Sequence, residues 1–185
     1  MGNIPPQAKK VFTGQIFDVY QWEQTMFDGS TETFEMLQRP NMVQILTVVE
    51  DKILVIQEEQ PNMPQVTSIP GGRQDAEDAT PLEAAKRELE EETGYTSTEW
   101  SELFLWEPHR KIAMKQYCFL AKHATQTGVQ QLDPGERISS TIISFEEFIT
   151  LASSNIFQAQ ELQKEILKMR IEPGALEAFR ERLFS

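Results

Sequence analysis

The chain has 185 residues, the length of one ordinary domain around a single core. Its 39% hydrophobic and 25% charged residues exclude a disordered or fibrous chain. With 29 acidic against 17 basic residues and a formal net charge of −12, a general grip on nucleic-acid backbones is excluded too, because that relies on clustered cations. If so acidic a chain handles a phosphorylated substrate, something other than net charge must attract it, and a cation held by carboxylates would do so.

In chain order, residues 14–39 read as a long β-hairpin. Ile16, Val19, Tyr20 and Trp22 enrich its first run, residues 31–37 form the second, and Asp28-Gly29-Ser30 supplies the turn. Residues 43–49 and 53–56 are apolar core strands joined at Glu50-Asp51-Lys52, and a short strand over 66–69 ends at Pro70-Gly71-Gly72. The pattern then predicts a helix over 81–93. Thr80 is its N-cap, Pro81 its first residue, Glu83 the partner in a capping box and Gly94 the C′ glycine. Strands over 103–106, 115–122 and 138–144 follow, with a polar loop over 125–137 that turns at Pro134-Gly135. Helices over 145–152 and 159–169 and a last helical segment after Pro173-Gly174 close the chain, giving α/β or α+β layers.

Residues 1–10 lack the apolar core of a signal peptide, and no run of about 18 apolar residues could span a bilayer. The single cysteine, Cys118, sits in a predicted strand as a buried, inert thiol and can form no internal disulfide. The expectation is a soluble protein of a reducing compartment, the cytoplasm, without membrane or nucleic-acid partners. His109 and His123 fall outside any metal-ligand spacing and read as structural or surface residues.

The chemistry concentrates in Arg87-Glu88-Leu89-Glu90-Glu91-Glu92-Thr93-Gly94-Tyr95. At about 100° per residue, Glu88 placed at 0° puts Glu91 near 300° and Glu92 near 40°, so three carboxylates share one helix face. Glu83 and Glu90 fall on the opposite, solvated side, and Leu82 and Leu89 mark the stripe toward the core. Like charges three and four residues apart each destabilise a helix by roughly 0.2 to 0.5 kcal/mol, so this convergence calls for a cation. Carboxylate oxygens suit Mg²⁺ or Mn²⁺, and Mg²⁺ takes one or two protein carboxylates beside substrate phosphates and water. A bare Glu-x-x-Glu-Glu would read as a solvated face; the glycine loop, the capped entry, Arg87 and Gly94 at compatible spacing turn the reading toward a metal site that handles phosphate.

These residues resemble the signature of the Nudix hydrolases: Gly, five residues, Glu, seven residues, then Arg-Glu-aliphatic-x-Glu-Glu-x-Gly-apolar. Every defined position from Arg87 through Gly94 matches, with Tyr95 in the final apolar slot. The resemblance implies an α/β fold, a Nudix α/β/α sandwich with a mixed sheet plus an N-terminal β-hairpin extension, and an enzyme that cleaves a nucleoside diphosphate linked to another moiety. Position by position it implies Glu88, Glu91 and Glu92 as metal ligands, the Gly71 carbonyl as a backbone ligand, and Arg87 as the arginine that buttresses the glutamates. In the loop Leu132-Asp133-Pro134-Gly135-Glu136-Arg137, Glu136, with Asp133 behind it, would supply a further ligand or the general base.

The first half of the signature departs. Ala79 stands where the glutamate belongs, and the loop after Gly72 is one residue longer; either Asp78 or Glu77 replaces the missing carboxylate or the position is dispensable. Within the family the hairpin and the segment Phe34-Glu35-Met36-Leu37-Gln38-Arg39-Pro40 look like the ADP-ribose and nucleoside diphosphate sugar pyrophosphatases. That likeness divides the chain into residues 1–39, for homodimerisation and substrate binding, and residues 40–185, the Nudix domain with its C-terminal helices. Tyr20 and Trp22 are candidates for base stacking, or else pack in the core or a dimer; Arg39 is a candidate diphosphate ligand, or else a plain cation at a strand end. The expected reaction is Mg²⁺-dependent hydrolysis of a nucleoside diphosphate sugar, with Glu136 or Glu88 accepting the proton. A nucleoside triphosphate pyrophosphatase of the same fold and a Nudix domain that binds nucleotides without hydrolysis are the alternatives.

Overall fold

The computed structural model describes residues 4–185; residues 1–3, the start of the 1–39 unit drawn above, lie outside it. Three strands open the chain, β1 (Lys9–Thr13), β2 (Asp18–Thr25) and β3 (Thr31–Gln38), and four follow as β4 (Met42–Val49), β5 (Lys52–Glu59), β6 (Val66–Ser68) and β7 (Gly71–Arg73). The helix α1 (Pro81–Thr93) comes next, then β8 (Tyr95–Thr96), β9 (Glu99–Trp106), β10 (Ile112–Ala113), β11 (Gln116–Lys122), β12 (Thr125–Gln126) and β13 (Arg137–Ile143). Helices α2 (Phe145–Ala152), α3 (Gln160–Ile171) and α4 (Ala175–Phe184) end it.

A mixed sheet in the order β13-β5-β4-β11-β9 is the centre of the molecule, with β6 added to β5 and β7 to β4. Strands β4 and β11 run parallel; β5 pairs antiparallel with β4 and β13, and β9 with β11. Alternation along β4 and β11 sends side chains to two covering layers. Val43, Ile45, Phe119 and Ala121 pack with Ala84, Ala85 and Leu89 of α1. Leu46, Val48, Cys118 and Leu120 face the other way, into a core with Phe148, Leu162, Ile166 and Leu183 of α2, α3 and α4. This is the expected α/β/α sandwich. Cys118 is fully buried, and burial pushes its thiol up to about 12, as an inert core residue requires.

Helix α1 has the predicted bounds because both ends are fixed locally. The Thr80 hydroxyl accepts the Glu83 N–H at 3.2 Å, and Gly94, left-handed at φ 72°, donates its N–H to the Glu90 carbonyl. The capping box, however, is only half made: the Glu83 carboxylate pairs with Lys86 at 2.9 Å instead of reaching back. The reciprocal box belongs to α2, where Ser144 and Glu147 exchange both bonds.

The N-terminal element is larger than a hairpin. Strands β2 and β3 pair as expected, but β1 adds a third antiparallel strand and β10 a fourth that runs parallel to β3. The exposed side chains of β1 carry no alternating apolar face for the eye to find, and β10 has only two residues. Val11, Phe12 and Phe27 stay exposed on this sheet, whereas Trp22 and Met36 are buried.

Candidate active site

Where β7 meets α1, a cleft of about 410 Å³ opens, lined by the acids Glu58, Asp75, Glu88, Glu91, Glu92, Asp133 and Glu136 together with Arg39, Arg73, Arg87 and Ile16. The glycine loop brings strand and helix together. A Cβ at Gly72 would run into the Glu88 carboxylate, and the Gly71 N–H donates to Glu92 Oε2 at 2.8 Å. Only glycine at 72 leaves room for the glutamate beside the backbone.

The shared helix face holds. Glu92 is buried, Glu88 is nearly so with its side chain 14% exposed, and Glu91 stays half-open, while Glu83 and Glu90 are exposed. Burial pushes the Glu88 carboxyl up to about 7, against the pull of Arg87 and with a push from Glu91 and Glu136. Glu92 is raised well above its ordinary value, first by burial, although the Gly71 N–H opposes the rise. Glu136 is raised as well, by burial and then by Asp133 and Glu58. Negative charge here is costly until a cation shares the cleft.

Arg87 organises this face. Its Nη1 donates to Glu91 at 2.8 Å and to Glu88 at 3.1 Å, and its Nη2 to the Arg73 carbonyl and to Asp78, each at 2.9 Å. Nε also donates to Asp78, at 3.2 Å, so the aspartate takes the guanidinium with two donors and is held below its ordinary value by it. Asp78 therefore spends its carboxylate on Arg87 and does not line the cleft. One residue before Ala79, in the lengthened loop, Asp78 thus buttresses the arginine. Glu77 makes no comparable bond and is exposed.

The late loop is sewn to the end of α1. Its carbonyls, which have no partner within a helix, accept instead from that loop: Glu91 O from the Gln131 N–H at 2.8 Å, Glu92 O from Gln130 Nε2 at 2.6 Å, Gly94 O from Thr127 and Gly128. The predicted turn at Pro134-Gly135 closes through the Glu136 N–H on the Asp133 carbonyl at 2.9 Å. Glu136 thus reaches the same cleft as Glu88 and Glu92.

Tyr20 and Trp22 stand apart from the cleft of their own chain. Trp22 packs on Phe34 with ring centroids 5.9 Å apart, and Lys10 lies over the Tyr20 ring. His109 and His123 also lie outside it, His123 beside Glu99 at 3.6 Å. Glu58, by contrast, went unread in the sequence although it lines the cleft. The signal was there: period-2 alternation along β5 puts it on the face of Leu54 and Ile56, a buried pair of which neither is in the layer with Phe148. Gln130 and Gln131 had no such signal, since only the fold brings them to α1.

The donor set fits a hard divalent cation: oxygen atoms only, with Glu92 buried, Glu88 largely so and the acids mutually repelling. Among the described residues no three His, Cys, Asp or Glu side chains are already gathered into a cage, because Glu92 is turned to the Gly71 N–H and Glu88 and Glu91 to Arg87. Mg²⁺ needs no such cage, since substrate phosphates and water complete its shell. No helix among the described residues is long and apolar enough to cross a membrane.

Comparison with known proteins places this geometry. Over 150 residues the chain is 25% identical to the ADP-ribose pyrophosphatase of Bacillus subtilis (strain 168), covering 79% of this chain and 80% of that protein. Its fold matches a crystal structure described as an ADP compounds hydrolase with a TM-score of 0.71 at 19% identity, over 90% of this chain and 91% of the other. The NUDIX domain model matches residues 38–168, a span that holds the central sheet, α1, α2, the glycine loop and every acid of the cleft. The chain therefore belongs to the Nudix family and is a Nudix hydrolase.

Proposed function

We propose that the protein hydrolyses the pyrophosphate bond of nucleoside diphosphate sugars, ADP-ribose included, to a nucleoside monophosphate and a sugar phosphate, with Mg²⁺ or Mn²⁺ as cofactor. The observation that carries this is the cleft itself, which buried Glu92 and largely buried Glu88 line together with Glu58, Glu136, Arg39 and Arg73. It offers carboxylates to a cation and guanidiniums to an anion. The name of the Bacillus subtilis relative supports the substrate class.

Glu88, Glu91, Glu92, Glu136 and the Gly71 carbonyl are the groups that would hold the metal. When bound, such an ion offsets the charge of a diphosphate and lowers the pKa of water. The chain's own residues do the rest. Arg87, fixed by Asp78, orients Glu88 and Glu91; Arg39 grips the diphosphate; Glu136 or Glu88 accepts the proton of the attacking water. A homodimer formed through the N-terminal sheet would employ the exposed Val11 and Phe12 and bring Tyr20 of one copy toward the base bound by the other, while Trp22, buried against Phe34, would serve as packing within the sheet. The cytoplasmic reading is supported by the single buried thiol.

The test is a panel of ADP-ribose, other nucleotide sugars and nucleoside triphosphates with Mg²⁺, Mn²⁺ or a chelator. Monophosphate and sugar phosphate should form from the sugars, only with metal. Turnover confined to triphosphates would replace the reading with the triphosphate pyrophosphatase, and binding without turnover would replace it with the nucleotide sensor.

A further inference from the structure

Three arginines line the cleft, Arg39, Arg73 and Arg87, and they differ in what holds them. Arg87 has its donors engaged by Asp78, Glu88, Glu91 and a carbonyl. Arg39 has no carboxylate partner among the described residues: Nη2 rests on Met42 Sδ, the guanidinium lies 5.5 Å from the Phe17 ring, and Nε is buried without a hydrogen-bond partner. Among the described residues the Arg73 guanidinium reaches only Asp75, at the outer limit of an ion pair at 4.0 Å. The two weakly held guanidiniums are neighbours. Met42, on which Arg39 rests, is the residue paired with Arg73 in the β4–β7 ladder, and the Arg73 charge adds to burial in lowering the pKa of Arg39. In a chain of net charge −12, two adjacent cations left almost without acids repel each other until an anion joins them.

The backbone holds Arg73 independently of its side chain. Its carbonyl accepts from Arg87, and the next residue, Gln74, donates its N–H to the Asn41 carbonyl at 2.9 Å. Its guanidinium, 44% exposed, is thus free for a ligand without being needed for the fold. We infer that Arg73 is a substrate-binding residue which, with Arg39, seats the diphosphate in the cleft that the glutamates also line. Two planar forks match two phosphate groups. The inference rests on the reading of the cleft as a site for nucleoside diphosphate sugars.

The experiment titrates the full chain with inorganic pyrophosphate at fixed Mg²⁺ by calorimetry and measures steady-state kinetics on ADP-ribose, for the native protein, Arg73→Gln and Arg73→Lys. Arg180→Gln, which breaks a distant surface pair with Glu146, controls for the change in net charge. Arg73→Gln should bind pyrophosphate about tenfold to a hundredfold more weakly, as loss of a charge-assisted contact implies. KM should rise alike while kcat changes little, Arg73→Lys should lie between, and Arg180→Gln should match the native protein. Native-like pyrophosphate binding by Arg73→Gln, or no pyrophosphate binding by the native protein, would overturn the seat. A native protein that cleaves no nucleotide sugar yet binds pyrophosphate in an Arg73-dependent way would uphold the seat and overturn the assigned substrate.

Discussion

Helix α1 and the N-terminal sheet both reach the cleft, and they are built on opposite terms. Helix α1 is capped by its own residues, anchors Ala84, Ala85 and Leu89 in the core and turns Glu88, Glu91 and Glu92 to the site. The sheet buries Trp22 and Met36, leaves Val11, Phe12 and Phe27 in solvent, and gives its own chain's cleft only Ile16 and, just past β3, Arg39. The acids of the cleft are thus mounted on the helix fixed by its own caps and core, while the uncovered apolar surface lies on the sheet, where the proposed assembly would use it.

The sharpest way to break that division is Glu92→Gln. The protein should stay folded while Mg²⁺-dependent turnover falls by about two orders of magnitude or more, within the range for loss of one electrostatic contact to the transition state. Unchanged turnover at saturating Mg²⁺ would remove Glu92 from the site.

The loop before α1 comes next. Asp78→Asn should lower kcat about tenfold, because Arg87 loses the acid that orients it, and destabilise the protein by about 1 to 3 kcal/mol, as expected when a partly buried charge loses its partner. Glu77→Gln should match the native enzyme in both respects. Equal losses from the two substitutions, read by stopped-time assay and denaturant titration, would put the lost carboxylate elsewhere.

Stability without metal separates the helix acids from ordinary surface charge. The folded-state pKa of Glu88, about 7, lies above the 4.5 of a free side chain, so its charged form opposes folding. That penalty is absent below about pH 4.5, grows as pH rises to 7 and is constant above. In chelator, Glu88→Gln should therefore be more stable than the native protein by about 2 to 3 kcal/mol at pH 8, with the gain vanishing near pH 4. A gain independent of pH in denaturant melts would contradict the burial of its charge.

The smallest expected effect concerns the sheet. Val11→Asp with Phe12→Asp should convert a dimer to a monomer in sedimentation without altering the thermal transition of the sandwich. A native chain that sediments as a monomer at micromolar concentration would end the dimer reading.

What the sequence made legible was local. Thr80, Pro81 and Gly94 mark the ends of α1 within a few residues of it, and helical spacing alone grouped Glu88, Glu91 and Glu92. Strands β4, β11 and β13 were visible from their apolar runs, though β9 begins at Glu99, well before the apolar residues that betray it. What stayed hidden depends on contacts between distant segments. The pairing of β10 with β3, the capture of Arg87 by Asp78 and the stitching of Gln130 to Glu92 leave no periodic trace. The half-made capping box at Thr80 has a local origin instead: Lys86, three residues along, competes successfully for Glu83.

The parallel pairing of β4 with β11 has a consequence for how the chain folds. It joins segments so far apart that the Lys115 N–H finds Asn41 Oδ1 across 74 residues, and closing a loop of that size is slow compared with forming a helix or a hairpin. Helix α1 lies inside the loop, with its caps close at hand, so its turns form before the strands that later flank it are joined. The repelling glutamates are then aligned early, in water, where their repulsion is screened, and burial follows when the glycine loop and the late loop close on α1. Dilute salt or divalent cations should thus accelerate this last step more than the first collapse, a difference open to stopped-flow refolding followed by Trp106 and Trp100 fluorescence.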